Sequence, residues 1–195
     1  MNNKVVIAVL AALVICVVVV AAFFVLADKK DNGEEKLAFT EEELSAIGIT
    51  LCDDDTRIVL RDVIRLDGTP FDSSDIPKKY VLLTFWASWC PDCKQESPSL
   101  QRLYDERESE TFSVLTISLD RSQDALEAYL EKTGYDFPIV FNYKNNIWKE
   151  YIPWIPTSFL LSPDGHAIAK IVGNNYTDWD DEKVRQILDY LMSRS

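Results

Sequence analysis

Histidine is nearly absent from this chain, and basic residues are in the minority. One histidine, His166, and four cysteines, Cys16, Cys52, Cys90 and Cys93, make up its nitrogen and sulfur ligand set. A structural zinc site takes four such ligands, so any metal at Cys90 and Cys93 would have to draw on Cys16, Cys52 and His166. Lys and Arg number 20 against 32 Asp and Glu, a net charge of −12. That imbalance argues against nucleic-acid binding and against adsorption to anionic lipid. It would suit a basic partner surface, although most acidic domains are merely soluble. No glycine run fit to hold a phosphate is present, and there is no internal repeat or low-complexity tract.

One long apolar run is present, at the N-terminus. Val5 to Ala27 holds 23 residues without a charge, a glycine or a proline. As a helix it spans about 34 Å, enough for a bilayer core. Lys4 precedes it and Asp28-Lys29-Lys30-Asp31 follows, weak topology evidence for an N-terminus inside and a domain outside. A cleaved signal is the rival, because Val25-Leu26-Ala27 has small residues at cleavage offsets, but the run exceeds the usual signal core of about 7–15 residues. Both readings place the domain in the periplasm or an equivalent extracytoplasmic space. Cys16 lies inside the run and reads as a small buried hydrophobe. The expected organisation is an anchor or signal peptide over 1–28, a tether with a short juxtamembrane helix over 29–55, and a folded domain over 56–195. Thr40 and Glu43 have capping-box spacing for that short helix, which Gly48 ends.

The domain is organised around Cys90-Pro91-Asp92-Cys93. An apolar strand-like segment, Tyr80 to Phe85, precedes it. Leu100, Leu103 and Tyr104 follow at helical spacing, so the cysteines sit where a strand hands over to a helix. Two cysteines at i, i+3 on a first helical turn face the same way and can close a small disulfide ring. Helix amides and the macrodipole favour a thiolate there, and the thiolate is the attacking species in exchange. Pro91 fits a first helical position. Zinc sites also use this spacing, but the poor ligand set favours a redox dithiol.

Further along, Arg57 to Phe71 turns at Asp67-Gly68 and reads as a hairpin. The helix from about Pro91 to Glu108 contains Pro98. Phe112 to Leu119 is a buried strand, Ser122 to Thr133 a helix closed by Gly134, and Phe137 to Phe141 a short strand. Asn145 to Tyr151 is a short aromatic helix. Thr157 to Leu161 and His166 to Val172 flank a turn at Ser162-Pro163-Asp164-Gly165, and Asp180 to Met192 is an amphipathic helix with Val184, Ile187, Leu188 and Leu191 inward. Strands alternating with helices, then a hairpin and a last helix, give an α/β domain with a mixed sheet.

The run Phe85-Trp86-Ala87-Ser88-Trp89-Cys90-Pro91-Asp92-Cys93 resembles the active-site segment of thioredoxin-like proteins. Glu96 and Pro98 behind it resemble the membrane-anchored extracytoplasmic reductases of the TlpA/ResA type, and the likeness runs roughly from Arg57 to the C-terminus. It implies a thioredoxin-like fold, a mixed central sheet flanked by helices, with an added N-terminal hairpin. It also implies a thiol–disulfide oxidoreductase without a cofactor or metal, in which Cys90 attacks a partner disulfide and Cys93 resolves the intermediate. The partners would be protein disulfides, often haem-site cysteines of apocytochrome c, with electrons from a membrane thiol reductase. Ile155-Pro156-Thr157 resembles the segment that carries a cis-proline against the disulfide, and a cis bond is expected there; the residues alone show a proline at a strand start, which is also compatible with a trans edge position.

Thioredoxins proper carry a buried Asp where this chain has Thr84, which moves the acid–base role to Glu96. Its other reading is an acid that merely serves the helix dipole. Asp92 is unusual between such cysteines: it either disfavours the thiolate or is screened by solvent. Trp86 reads as core, while Trp89 and Trp154, with Pro91, Ile155, Pro156 and Thr157, are candidates for contact with a substrate. Cys52 reads as a buried unreactive thiol, against an intermolecular or regulatory one, and His166 as a surface or strand-edge residue. A peroxiredoxin-like peroxidase would need a Thr shortly before the reactive Cys and an Arg to hold peroxide, whereas Trp86-Ala87-Ser88-Trp89 stands there. A non-catalytic binding module would have no need of an intact dithiol.

Overall fold

The computed structural model of the chain describes residues 39–142, 144, 152–173 and 177–194. The apolar run over 5–27 and the short helix expected over 145–151 lie outside these residues. Among the described residues, no helix is long and apolar enough to cross a membrane.

Eight described strands form one sheet. In chain order they are β1 (Ile49–Leu51), β2 (Val63–Arg65), β3 (Pro70–Phe71), β4 (Tyr80–Trp86), β5 (Phe112–Ser118), β6 (Ile139–Phe141), β7 (Thr157–Leu161) and β8 (Ala167–Val172). Their spatial order is β1-β8-β7-β4-β5-β6-β2-β3. The centre belongs to β4, buried from Val81 to Trp86, parallel to β5 and antiparallel to β7. Its near-continuous apolar run is what a strand covered on both faces requires. Two parallel pairs, β4–β5 and β5–β6, enclose the helices α2 (Pro91–Arg107) and α3 (Gln123–Thr133) as their crossovers. The antiparallel β7–β8 hairpin and the last helix, α4 (Glu182–Arg194), complete the mixed architecture that the alternation of elements predicts.

Local chemistry sets the helix ends. Ser122 caps α3 by accepting from the Ala125 amide, and Gly134 closes it at φ +72°, its N–H donating to the Leu130 carbonyl at 2.8 Å. The last helix begins two residues later than the periodicity predicts, because Asp181 stands before it and accepts from the amides of Lys183 and Val184. Val184, Ile187, Leu188 and Leu191 are buried as expected.

The expected hairpin is present but narrower. β2 and β3 pair around Asp67-Gly68, where Asp67 accepts from the Thr69 amide at 2.9 Å. β2 also pairs with β6, so the hairpin extends the sheet edge. Arg57 makes only an isolated bridge to His166.

The sheet reaches further towards the N-terminus than a domain beginning at residue 56. A six-residue helix, α1 (Glu41–Ala46), carries the complete Thr40–Glu43 capping box, and β1 pairs with β8 through Ile49 and Ile171. Gly48 makes this junction possible: at φ +80°, an added Cβ would stand 2.7 Å from the Val172 carbonyl oxygen. The segment around Cys52 is therefore the exit from an edge strand rather than part of a tether.

Candidate active site

The site is assembled at one end of the central strands. β4 ends at Trp86, and the chain turns through Ala87-Ser88-Trp89 into α2. Asp120, buried at the end of β5, holds that turn. Its carboxylate accepts from the Ser88 amide at 3.0 Å, from the Ser88 hydroxyl at 2.6 Å and from the Ser118 hydroxyl at 2.7 Å. Three donors satisfy a carboxylate that burial would otherwise penalise.

Cys90 is the N-cap of α2, and Pro91 occupies the first turn, where its missing N–H costs nothing. The Cys93 amide donates to Cys90 Sγ at 3.2 Å, so the sulfur takes the place that a Ser or Asp oxygen commonly fills at a cap. Cys90 and Cys93 are joined by a disulfide with Cα atoms 5.3 Å apart. Both are enclosed, Cys90 at 4% and Cys93 at 1% exposure, so total exposure separates them little. Their access differs. Cys90 lines an open groove together with Trp89, Pro91, Trp154 and Ile155, whereas Cys93 is not part of its wall. Trp89 and Trp154 are 56% and 51% exposed, unusual for indoles, while Trp86 packs inside against Tyr129 and Phe137. Asp92 is exposed on the first turn and lines the same groove.

The second wall comes from the loop before β7. The Ile155–Pro156 peptide is cis, and the Ile155 carbonyl oxygen lies 3.6 Å from Cys90 Sγ. Thr157 stands beneath this loop, not in the groove, and its hydroxyl donates to the Trp154 carbonyl at 2.8 Å. Pro156 is buried, and Gly173, just past β8, packs against it. The Gly173 amide donates to the Pro156 carbonyl, and an added Cβ would meet Pro156 Cγ at 2.7 Å and Glu96 Oε2 at 3.0 Å. Only a glycine admits this approach of three segments.

Glu96 lies one turn beyond Cys93 and is buried. Burial pushes its carboxyl up to about 8, while a hydrogen bond from the Trp179 indole N–H, 2.9 Å from Oε1, pulls the other way. Thr84 is buried too, and its hydroxyl shares a hydrogen bond with Ser158 at 2.8 Å. An uncharged pair thus occupies the position where an acid was absent from the sequence pattern.

The remaining candidates fall away from the dithiol. Cys52 carries no disulfide, is half-buried beside β8, and burial raises its thiol pKa. His166 precedes β8 and pairs with Asp164 at 2.8 Å. Among the described residues, no group of three or more His, Cys, Asp or Glu is placed to hold a metal.

Trp179, Asp120 and Gly173 escaped the sequence reading. Each acts through a contact made far along the chain, 83 residues in the case of Trp179 and Glu96, and no local periodicity marks them.

Comparison with known proteins agrees with this geometry. The AhpC/TSA family profile matches residues 57–170. The chain is 36% identical over 117 residues to sporulation thiol-disulfide oxidoreductase A of Bacillus subtilis, covering 55% of this chain and 71% of that protein. It is 30% identical over 146 residues to thiol-disulfide oxidoreductase ResA of Geobacillus kaustophilus, covering 74% and 79%. Among solved structures, a thiol:disulfide interchange protein assigned to DsbE, from Chlorobium tepidum, superposes with a TM-score of 0.62 at 26% identity, covering 73% of this chain and 99% of that one. With the capped Cys90–Cys93 disulfide in a thioredoxin-like fold, these likenesses establish that the chain belongs to the AhpC/TSA family as a ResA-type thiol–disulfide oxidoreductase.

Proposed function

We propose that this protein reduces disulfides of partner proteins outside the cytoplasm, tethered to a membrane by residues 5–27. The observation that carries the reading is the position of Cys90: it caps α2 and opens into a groove flanked by two exposed indoles, with Cys93 behind it. The apolar N-terminal run and the family resemblance support the tether. The same resemblance carries over the supply of electrons from a membrane thiol reductase and a role on apocytochrome c haem-site cysteines.

In the reduced protein, the α2 amides stabilise Cys90 as a thiolate. It attacks one sulfur of the partner disulfide; a mixed disulfide forms, and the partner's other sulfur leaves as a thiolate and takes a proton from solvent. Cys93 then gives its proton to the Glu96 carboxylate and attacks Cys90 Sγ. The Cys90–Cys93 bond forms, the partner's second sulfur leaves, and it takes up a proton. The partner has gained two electrons, both from the dithiol, and two protons, one from solvent and one that balances the proton Cys93 passed to Glu96. Glu96 suits this step because its pKa, about 8, is close to that of an ordinary thiol.

Trp89 and Trp154 supply apolar contact that a small disulfide has no surface to use. Replacing both by Ala should lower kcat/KM for a disulfide-bonded protein about tenfold or more. Reduction of a small aromatic disulfide should change little. Equal losses on both substrates would refute the groove as a protein-binding surface and point to damage at the dithiol.

A further inference from the structure

We propose that Trp179 is a positioning residue for Glu96, fixing its carboxyl through the indole N–H and so setting how readily it takes and returns the thiol proton. The inference rests on the proton-transfer role of Glu96 proposed above.

The contact is built, not incidental. Trp179 is 1% exposed, and its ring nitrogen is directed at Glu96 Oε1. Its backbone is held on both sides. The Trp179 amide donates to Ser99 Oγ at 3.2 Å, and Ser99 in turn donates to the Glu96 carbonyl. The Trp179 carbonyl accepts from Arg185 Nε at 2.8 Å. Arg185 pairs with Glu106 at 2.5 Å and with Asp180 at 3.0 Å, and Arg102 donates to Asp180 at 2.7 Å. Two positions on each side, Arg102 and Glu106 of α2 and Asp180 and Arg185 at α4, thus clamp the indole against the first turns of α2.

The surroundings leave this bond in control. Facing the carboxyl are the Trp179 indole, from the segment before α4, and Pro156 and Gly173, from the ends of β7 and β8; none of these is titratable. On its own helix the titratable residues one turn before it are Cys93 at i−3, which titrates only when reduced, and Asp92 at i−4, which is exposed. In the disulfide form, burial and the Trp179 indole are what move its pKa. Burial disfavours the carboxylate, and the one donor aimed at it favours the carboxylate. Removing that donor therefore makes Glu96 a base only at higher pH.

Two measurements test this. In the oxidised protein the dithiol cannot titrate, so the Trp179 indole ¹H–¹⁵N resonance should move with pH near 8 in the native chain and stay still in Glu96→Gln. In the exchange reaction, Trp179→Phe keeps an aromatic ring and removes the N–H. Its pH–rate profile should move alkaline by about one pH unit, the worth of one hydrogen bond to a charged group. The double variant Glu96→Gln/Trp179→Phe should show no further shift beyond Glu96→Gln. If Glu96→Gln itself leaves the profile in place, the acid–base role of Glu96 fails. If Glu96→Gln moves the profile while Trp179→Phe does not, or if the indole resonance ignores pH, the positioning role fails and Glu96 keeps its own. The resonance is read on the native chain, so the test survives even if Trp179→Phe does not fold.

Discussion

Cys93→Ser should accumulate mixed disulfides with partner proteins, and Cys90→Ser should accumulate none. Both variants should lose catalytic turnover entirely, for different reasons. Cys90 caps α2 and lines the groove, so it is the sulfur that a partner can reach and the one whose thiolate the helix amides stabilise. Without Cys93, release of the partner depends on an external thiol. A well-placed intramolecular nucleophile is worth an effective concentration of up to about 10⁵ M or more, far beyond any external thiol, so the mixed disulfide should outlast the assay. Non-reducing electrophoresis with mass spectrometry of the captured species would read the result. Trapping by Cys90→Ser alone would reverse the two roles.

The second large effect concerns stability against pH, and it follows from Glu96. The carboxyl titrates near 4.5 in an unfolded chain and at about 8 in the fold, where burial holds it protonated. Between those values the folded protein keeps a proton that the unfolded chain has released, so unfolding sheds a proton and becomes easier as the pH rises. The contribution is present in full below about pH 4.5 and is lost as the pH rises through about 8. Its full size is on the order of 5 kcal/mol. Glu96→Gln keeps the shape and can still accept from the Trp179 indole, but has no proton to lose. Denaturant unfolding of the oxidised proteins should therefore show the variant gaining several kcal/mol relative to the native chain between pH 5 and pH 9. Parallel stability curves would mean that Glu96 is not held protonated in the fold.

These two effects draw on features of unequal visibility in the sequence. The dithiol, the strand before it and the capping proline are contiguous, and their chemistry is local, so spacing alone exposes them. The same holds for the capping box at Thr40 and the turn at Asp67-Gly68, whose hydrogen bonds close within three residues. The importance of Glu96 was legible only in part: its helical spacing from Cys93 and the missing acid at Thr84 single it out, but its partner does not show. Trp179 is 83 residues away and reaches Glu96 only because α4 packs beside α2. The edge strand β1 was hidden for a different reason. Three residues are too few for a periodic signal, and its partner, β8, lies about 120 positions later. Trp89 and Trp154 show the opposite case, two apolar side chains whose position beside the motif marked them for contact and which the fold leaves exposed beside Cys90.

The direction of electron flow is the central claim, and the reduction potential of the Cys90–Cys93 pair tests it most directly. Equilibration with glutathione or dithiothreitol buffers of known potential, followed by quantification of free thiols, gives the value. A protein that reduces its partners should lie near thioredoxin, at about −270 mV. A value near that of the strong oxidant DsbA, about −120 mV, would contradict the account and make this protein a donor of disulfides instead.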